Sequence, residues 1–172
     1  DVGCLFTDVN NDGFNDLLVI SGSSENVNYN MAVTGSRCYL NDGKGNFTKS
    51  ANVFPPGLKD GSCISATDFD NDGWTDVFVG GKAIPGSYPL CSNSYLLKNV
   101  NGKFTDVTEQ LAPGLSKIGL VKSALWTDFN NDSKIDLIVV GEWMPLTFFK
   151  NENGKFVNIT EQIGFSKTGG WW

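Results

Sequence analysis

A chain of 172 residues with 40% hydrophobic and 12% aromatic content is large and apolar enough to bury a core, which excludes wholesale disorder. Its formal charge of -6 and its lack of histidine exclude a nucleic-acid surface of clustered Lys and Arg and argue against a Cys/His zinc site. No apolar run approaches the roughly 20 residues that span a bilayer, and twenty glycines with frequent Asn and Asp favour an all-β chain of short strands and tight turns.

In chain order, the first expected strand is CLFT from Cys4, followed by the loop DVNNDGFND from Asp8 and a second strand, LLVISG from Leu17. A hairpin, CYLNDGKGNF, then ends at Phe47, with turn residues Asp42-Gly43 and Lys44-Gly45. The same order returns as CISAT from Cys63, DFDNDGWTD from Asp68, VFVGG from Val77 and YLLKNVNGKF ending at Phe104. It returns again as SALWT from Ser123, DFNNDSKID from Asp128, LIVVG from Leu137 and TFFKNENGKF ending at Phe156. The loops begin 60 residues apart both times. Asn101-Gly102 and Asn153-Gly154 suit primed two-residue turns, where positive φ is cheap.

Each repeat therefore reads as four strands, A to D, in up-and-down order. The expectation is a β-propeller fragment of three four-stranded antiparallel blades, with a tandem sandwich as the alternative. Repeat boundaries fall at about 1–58, 59–118 and 119–166, and residues 167–172 resemble the start of a further blade, so the chain reads as a segment of a longer protein. From the last loop Asp to the hairpin Asn the interval is 25, 23 and then 15 residues, which makes the B to C segment the variable one. Up-and-down topology then puts the Asp loops on one rim and the variable segments on the other. Tyr88, Pro89, Trp143, Met144 and Pro145, with Phe54, Pro55 and Pro56 from a D to A connection, are expected on the variable rim, either as recognition residues or as covers for the blade ends.

The Asp loops carry the chemistry. Alternate residues of a tight turn can point inward around a hard cation, and an all-oxygen set of carboxylates and carbonyls suits calcium. The first loop offers Asp8, Asn10, Asp12, the Phe14 carbonyl and Asp16; the second offers Asp68, Asp70, Asp72, the Trp74 carbonyl and Asp76. Asp128, Asn130, Asp132, the Lys134 carbonyl and Asp136 form the third set, so up to three Ca2+ ions are expected. Gly13 and Gly73 occupy the sixth position, where Ser133 stands in the third loop at a cost of about 1 kcal/mol if it is left-handed. Counting carboxylates ranks the second loop tightest and the third weakest. An EF-hand fits poorly, because its twelfth-position Glu is replaced by Val19, Val79 and Val139 and the flanks read as strands. These loops hold 10 of the 19 acidic residues, and three calcium ions bring the formal charge to about zero.

Cys4, Cys38, Cys63 and Cys91 lack CxxC spacing. Pairing of Cys63 with Cys91 is the favoured disulfide and Cys4 with Cys38 the weaker one, with four buried thiols as the alternative. Asn46, Asn131 and Asn158 fall in Asn-X-Ser/Thr sequons.

These loops, with hairpins such as NVNGKFTDVTEQLAPGL from Asn99 and NENGKFVNITEQIGF from Asn151, resemble the FG-GAP or VCBS-type repeat of integrin α-subunit propellers, and are similar to bacterial relatives of cartilage acidic protein. The resemblance implies a propeller of about seven blades, structural calcium, and an extracellular, periplasmic or cell-surface setting. The literal Phe-Gly and Gly-Ala-Pro signatures are missing, and the integrin ligand function does not carry over. Expected partners are a protein or glycan ligand, with self-association through exposed blade edges, and neither nucleic acid nor membrane insertion. Two other readings are a propeller segment of a secreted carbohydrate-active enzyme and a pure scaffold. The enzyme reading is thin, because no His base or GxSxG elbow is present and only Glu142 beside Trp143 suggests a sugar site.

Overall fold

Runs of β-branched and aromatic residues bounded by Gly, Asn and Asp form twelve strands in a computed structural model that describes residues 1–22 and 35–170. The first blade contains β1 (Gly3–Thr7), β2 (Asp16–Ile20), β3 (Arg37–Asn41) and β4 (Phe47–Ser50). The second contains β5 (Gly61–Thr67), β6 (Asp76–Gly81), β7 (Tyr95–Val100) and β8 (Lys103–Asp106). The third is β9 (Leu120–Thr127), β10 (Asp136–Glu142), β11 (Thr147–Glu152) and β12 (Lys155–Asn158). Each set is an antiparallel sheet in sequential order, joined by tight turns, as the repeat pattern predicts. One short helix, α1 (Thr108–Leu111), follows β8. Among the described residues no helix is long and apolar enough to cross a membrane.

The hydrophobic core lies between blades. β6 is buried along its whole length, and because successive side chains alternate, it feeds two interfaces. Val77 and Val79 join Leu18, Ile20, Cys38, Leu97 and Phe104 between the first and second blades, while Phe78 joins Leu96, Leu137, Val139 and Phe149 between the second and third. Burying one Val or Phe contributes about 1.5–3 kcal/mol, so stacking on neighbours is what makes each thin sheet stable.

Register fixes the rims. Thr7 faces Asp16, Thr67 faces Asp76 and Thr127 faces Asp136 at the Asp-loop end of each A to B pair. At this rim the C to D turns also sit, with Asn101 and Asn153 at φ 53° and 57° beside Gly102 and Gly154 at 79° and 86°. The B to C segments leave from the opposite rim, although residues 23–34 of the first one lie outside the described residues, as do Trp171 and Trp172. Gly170 pairs with Met144 through an isolated bridge.

The disulfide expectation fails here, and packing decides between the two readings of the rim residues. All four cysteines are free thiols. Cys4 pairs with Val19 and Cys38 with Leu18, adjacent β2 residues that point to opposite faces, so Cys38 is buried in the core and Cys4 is exposed. Cys63 holds its sulfur near Gly80 and Val121 in the second interface, whereas Cys91 bridges Ala83 in the B to C segment. Of the residues assigned to the variable rim, Met144 is a core residue and Phe54 stacks on Phe104 at 5.4 Å, so both pack rather than recognise.

Candidate metal centre

Each Asp loop is an autonomous turn organised by its own carboxylates. The first-position Asp accepts the amides of the fifth and sixth residues, at 3.2 and 2.8 Å for Asp8, 3.1 and 2.8 Å for Asp68, and 3.1 and 2.8 Å for Asp128. The fifth-position residues Asp12, Asp72 and Asp132 then accept the amides of Phe14, Trp74 and Lys134 at 2.9, 2.9 and 3.1 Å. Asn10 and Asn130 at the third position accept from Asp12 and Asp132. Such hydrogen bonds to ionised oxygens are stronger than neutral ones and set the alternate oxygens on one side of the turn.

The sixth position is left-handed in all three loops, with φ 87° at Gly13, 86° at Gly73 and 64° at Ser133. Ser133 bears the expected strain, so Ser133→Gly raises stability by up to about 1 kcal/mol, read as a higher urea midpoint. An unchanged or lowered midpoint contradicts the assignment. Sequence reasoning missed the fourth position, where Asn11, Asn71 and Asn131 adopt φ 57–59°. Asparagine three times at that place was the available signal.

Asp16, Asp76 and Asp136, the ninth residues, are fully buried and do more than face the loop. Each accepts one amide from its own loop, Val9, Phe69 or Phe129, at 3.0, 3.3 and 3.3 Å. Each also accepts the amide of the hairpin asparagine, Asn41, Asn99 or Asn151, at 2.8, 2.8 and 2.7 Å. The asparagine side chains extend the link to the next blade. Asn99 donates to Val9 and Thr75 carbonyls at 2.9 and 3.2 Å, and Asn151 to Phe69 and Ile135 carbonyls at 3.0 Å each. Asn11 further donates to the Gly73 carbonyl at 3.1 Å. The loops are therefore built into the contacts between blades.

In the second loop one carboxylate oxygen each from Asp68, Asp70 and Asp76 lies within 4.8 Å of the others, a separation one cation can bridge. Asp70 Oδ1 is buried without a hydrogen-bond partner among the described residues, which is what an oxygen reserved for a metal looks like. The donor set is entirely oxygen, so the residues fit a hard divalent ion. Asp72 stands with Lys98, whose ammonium is 3.0 Å from it and also pairs with Asp70. Burial opposes ionisation of Asp72, but the Trp74 amide and Lys98 outweigh it and hold the carboxyl below its usual range.

Burial pushes Asp76 up to about 7 against the lowering effect of the Asn99 and Phe69 amides, and it raises Asp16 and Asp136 as well. A carboxyl raised in the fold contributes stability that is complete below its unfolded value of 3.8 and is lost as pH rises through about 7. Metal binding needs the carboxylate and runs the other way. A divalent ion held here would bind more tightly from about pH 5 to 7, with proton release, and calorimetry in buffers of different ionisation enthalpy measures it. A buffer-independent binding enthalpy contradicts this.

Three thin sheets stacked side by side, each with an Asp loop between its first two strands, define a propeller-type repeat. The model of the FG-GAP-like repeat family matches residues 8–79, from the first loop through the second and into β6, so that segment is similar to an FG-GAP-like repeat. No curated protein matches the chain.

Proposed function

We propose that this chain is a calcium-binding, integrin-like repeat module for extracellular recognition or adhesion, in which the ions are structural. The observation that carries the reading is the division of labour between rims. Asn11, Asn99 and Asn151 link neighbouring blades at the Asp-loop end, whereas the variable segments at the other end expose Tyr88 and Trp143. There Tyr88 and Trp143, 59% and 63% exposed, come from different blades and meet through a 2.7 Å bond from the indole N–H to the tyrosine hydroxyl. Trp143 is held at φ 59°, a costly conformation for a bulky side chain. Tyr88, with Lys82, Lys122 and Glu142, lines a cavity of about 320 Å3, which suits a protein or glycan ligand.

FG-GAP-like repeats are typically noncatalytic scaffolds, which favours recognition or scaffolding over catalysis. Screening protein and glycan arrays in calcium and in chelator tests the reading, with Tyr88→Ala and Trp143→Ala as controls. Calcium-dependent binding that both substitutions abolish is the expected result. Absence of any calcium-dependent ligand overturns recognition and leaves a scaffold. The sheets also end on edge strands such as β4 and β12, and self-association through them is expected as a concentration-dependent mass in light scattering.

A further inference from the structure

The three repeats differ at the residue just before the hairpin asparagine, on strand C. That residue is Leu40 in the first blade, Lys98 in the second and Lys150 in the third. Lys98 reaches from β7 to the second loop, pairing with Asp70 and lying 3.0 Å from Asp72 Oδ2. Lys150 is looser, 3.9 Å from Asp132 and equally far from Glu152. Leu40 carries no charge and packs against the core between the first two blades.

These side chains change the charge presented to an incoming ion. The second loop has four carboxylates where the others have three, but Lys98 cancels the extra one, leaving the first and second loops equal in formal charge. The third loop, with three carboxylates and a distant ammonium, is the least negative. Asp70 and Asp72, the carboxylates Lys98 holds, are the third- and fifth-position oxygens a divalent ion would need.

We propose that Lys98 is a tethered counter-cation of the second loop, occupying Asp70 and Asp72 in the metal-free state and yielding them when a divalent ion binds. This rests on the reading of the Asp loops as calcium sites. Its partly exposed position on a long flexible stem lets the ammonium withdraw to water, so the exchange needs no backbone movement. The lysine keeps the empty loop from splaying through carboxylate repulsion and lowers its metal affinity in return. The first loop, with Leu40, becomes the tighter site, which reverses the order read from carboxylate number alone.

Removing the charge while keeping the stem isolates the effect. Lys98→Met and Lys98→Gln should both tighten calcium binding at the second loop by about tenfold, because the ion no longer has to displace an ammonium from Asp70 and Asp72. Calorimetric titration with calcium chloride gives the affinities. Tb3+ luminescence excited through Trp74, which stands only in the second loop, assigns the site, with Trp74→Phe as the control. Equal or weaker binding in both variants, with calcium still taken up, overturns the proposal alone. If the folded wild type and both variants take up no calcium or Tb3+, the calcium reading itself fails and takes this inference with it.

Discussion

If the Asp loops hold calcium as proposed, chelation is expected to lower the melting temperature of this chain by about 5–10 °C for each loop emptied. The magnitude follows from linkage. An independent site held at free calcium 100 times its Kd adds roughly 2.7 kcal/mol, and each kcal/mol moves Tm by about 2–4 °C in a chain of this size. The mechanism follows from placement. Two carboxylates about 4 Å apart repel by roughly 4 kcal/mol at an effective dielectric near 20, and the oxygens of Asp68, Asp70 and Asp76 lie within 4.8 Å. Strain from an empty loop passes to the neighbouring blade, because Asn99 is bonded to Val9 of the first loop and Asn151 to Phe69 of the second. Calorimetric scans in calcium and in excess chelator measure the difference. Coincident scans would sink the structural-calcium reading.

Asp76→Ala destabilises the metal-free protein by about 2–5 kcal/mol, whereas Asp70→Asn leaves it nearly unchanged. Asp76 is fully buried and accepts the amides of Phe69 and Asn99, so truncation strands two buried donors, each costing about 1–3 kcal/mol. Asp70 accepts no backbone amide in the structure; its partner is Lys98, a partly exposed pair worth at most about 1 kcal/mol. In saturating calcium the roles separate further. On the calcium reading, Asp70→Asn lowers affinity at the second loop without losing the fold, since it removes one negative charge while keeping the kind of side-chain oxygen that Asn10 and Asn130 offer at the same position. Urea midpoints taken in chelator, together with calcium titration, distinguish the two. Equal metal-free stability of both variants would show that Asp76 is a ligand and nothing more.

Most strands could be read because their signals are local. The runs LLVISG, VFVGG and LIVVG sit between an Asp loop and a Gly-bounded segment, and Asn-Gly turns specify tight hairpins through backbone sterics. Likewise the left-handed sixth position was legible, including the strained Ser133, because it depends on one residue's conformational freedom. Whether Phe54 and Met144 recognise a ligand or pack against a blade could not be read. Exposed recognition residues and interface packing residues have the same composition, and the choice depends on whether another blade covers them. Cysteine pairing failed for a related reason: sequence distance gives no information about which face of a strand each thiol occupies.

What the sequence by itself determined is the repeat, the strand order and the alternate-oxygen loops, because each arises from interactions within about ten residues and recurs three times. The tertiary structure alone decided that the ninth-position Asp and the hairpin Asn bind loops, hairpins and adjacent blades together, and that Lys98 lies on the carboxylates of the second loop. Those partners are 15 to 90 residues apart in the chain. They meet because strand register and inter-blade burial bring them together, and no local propensity encodes that meeting.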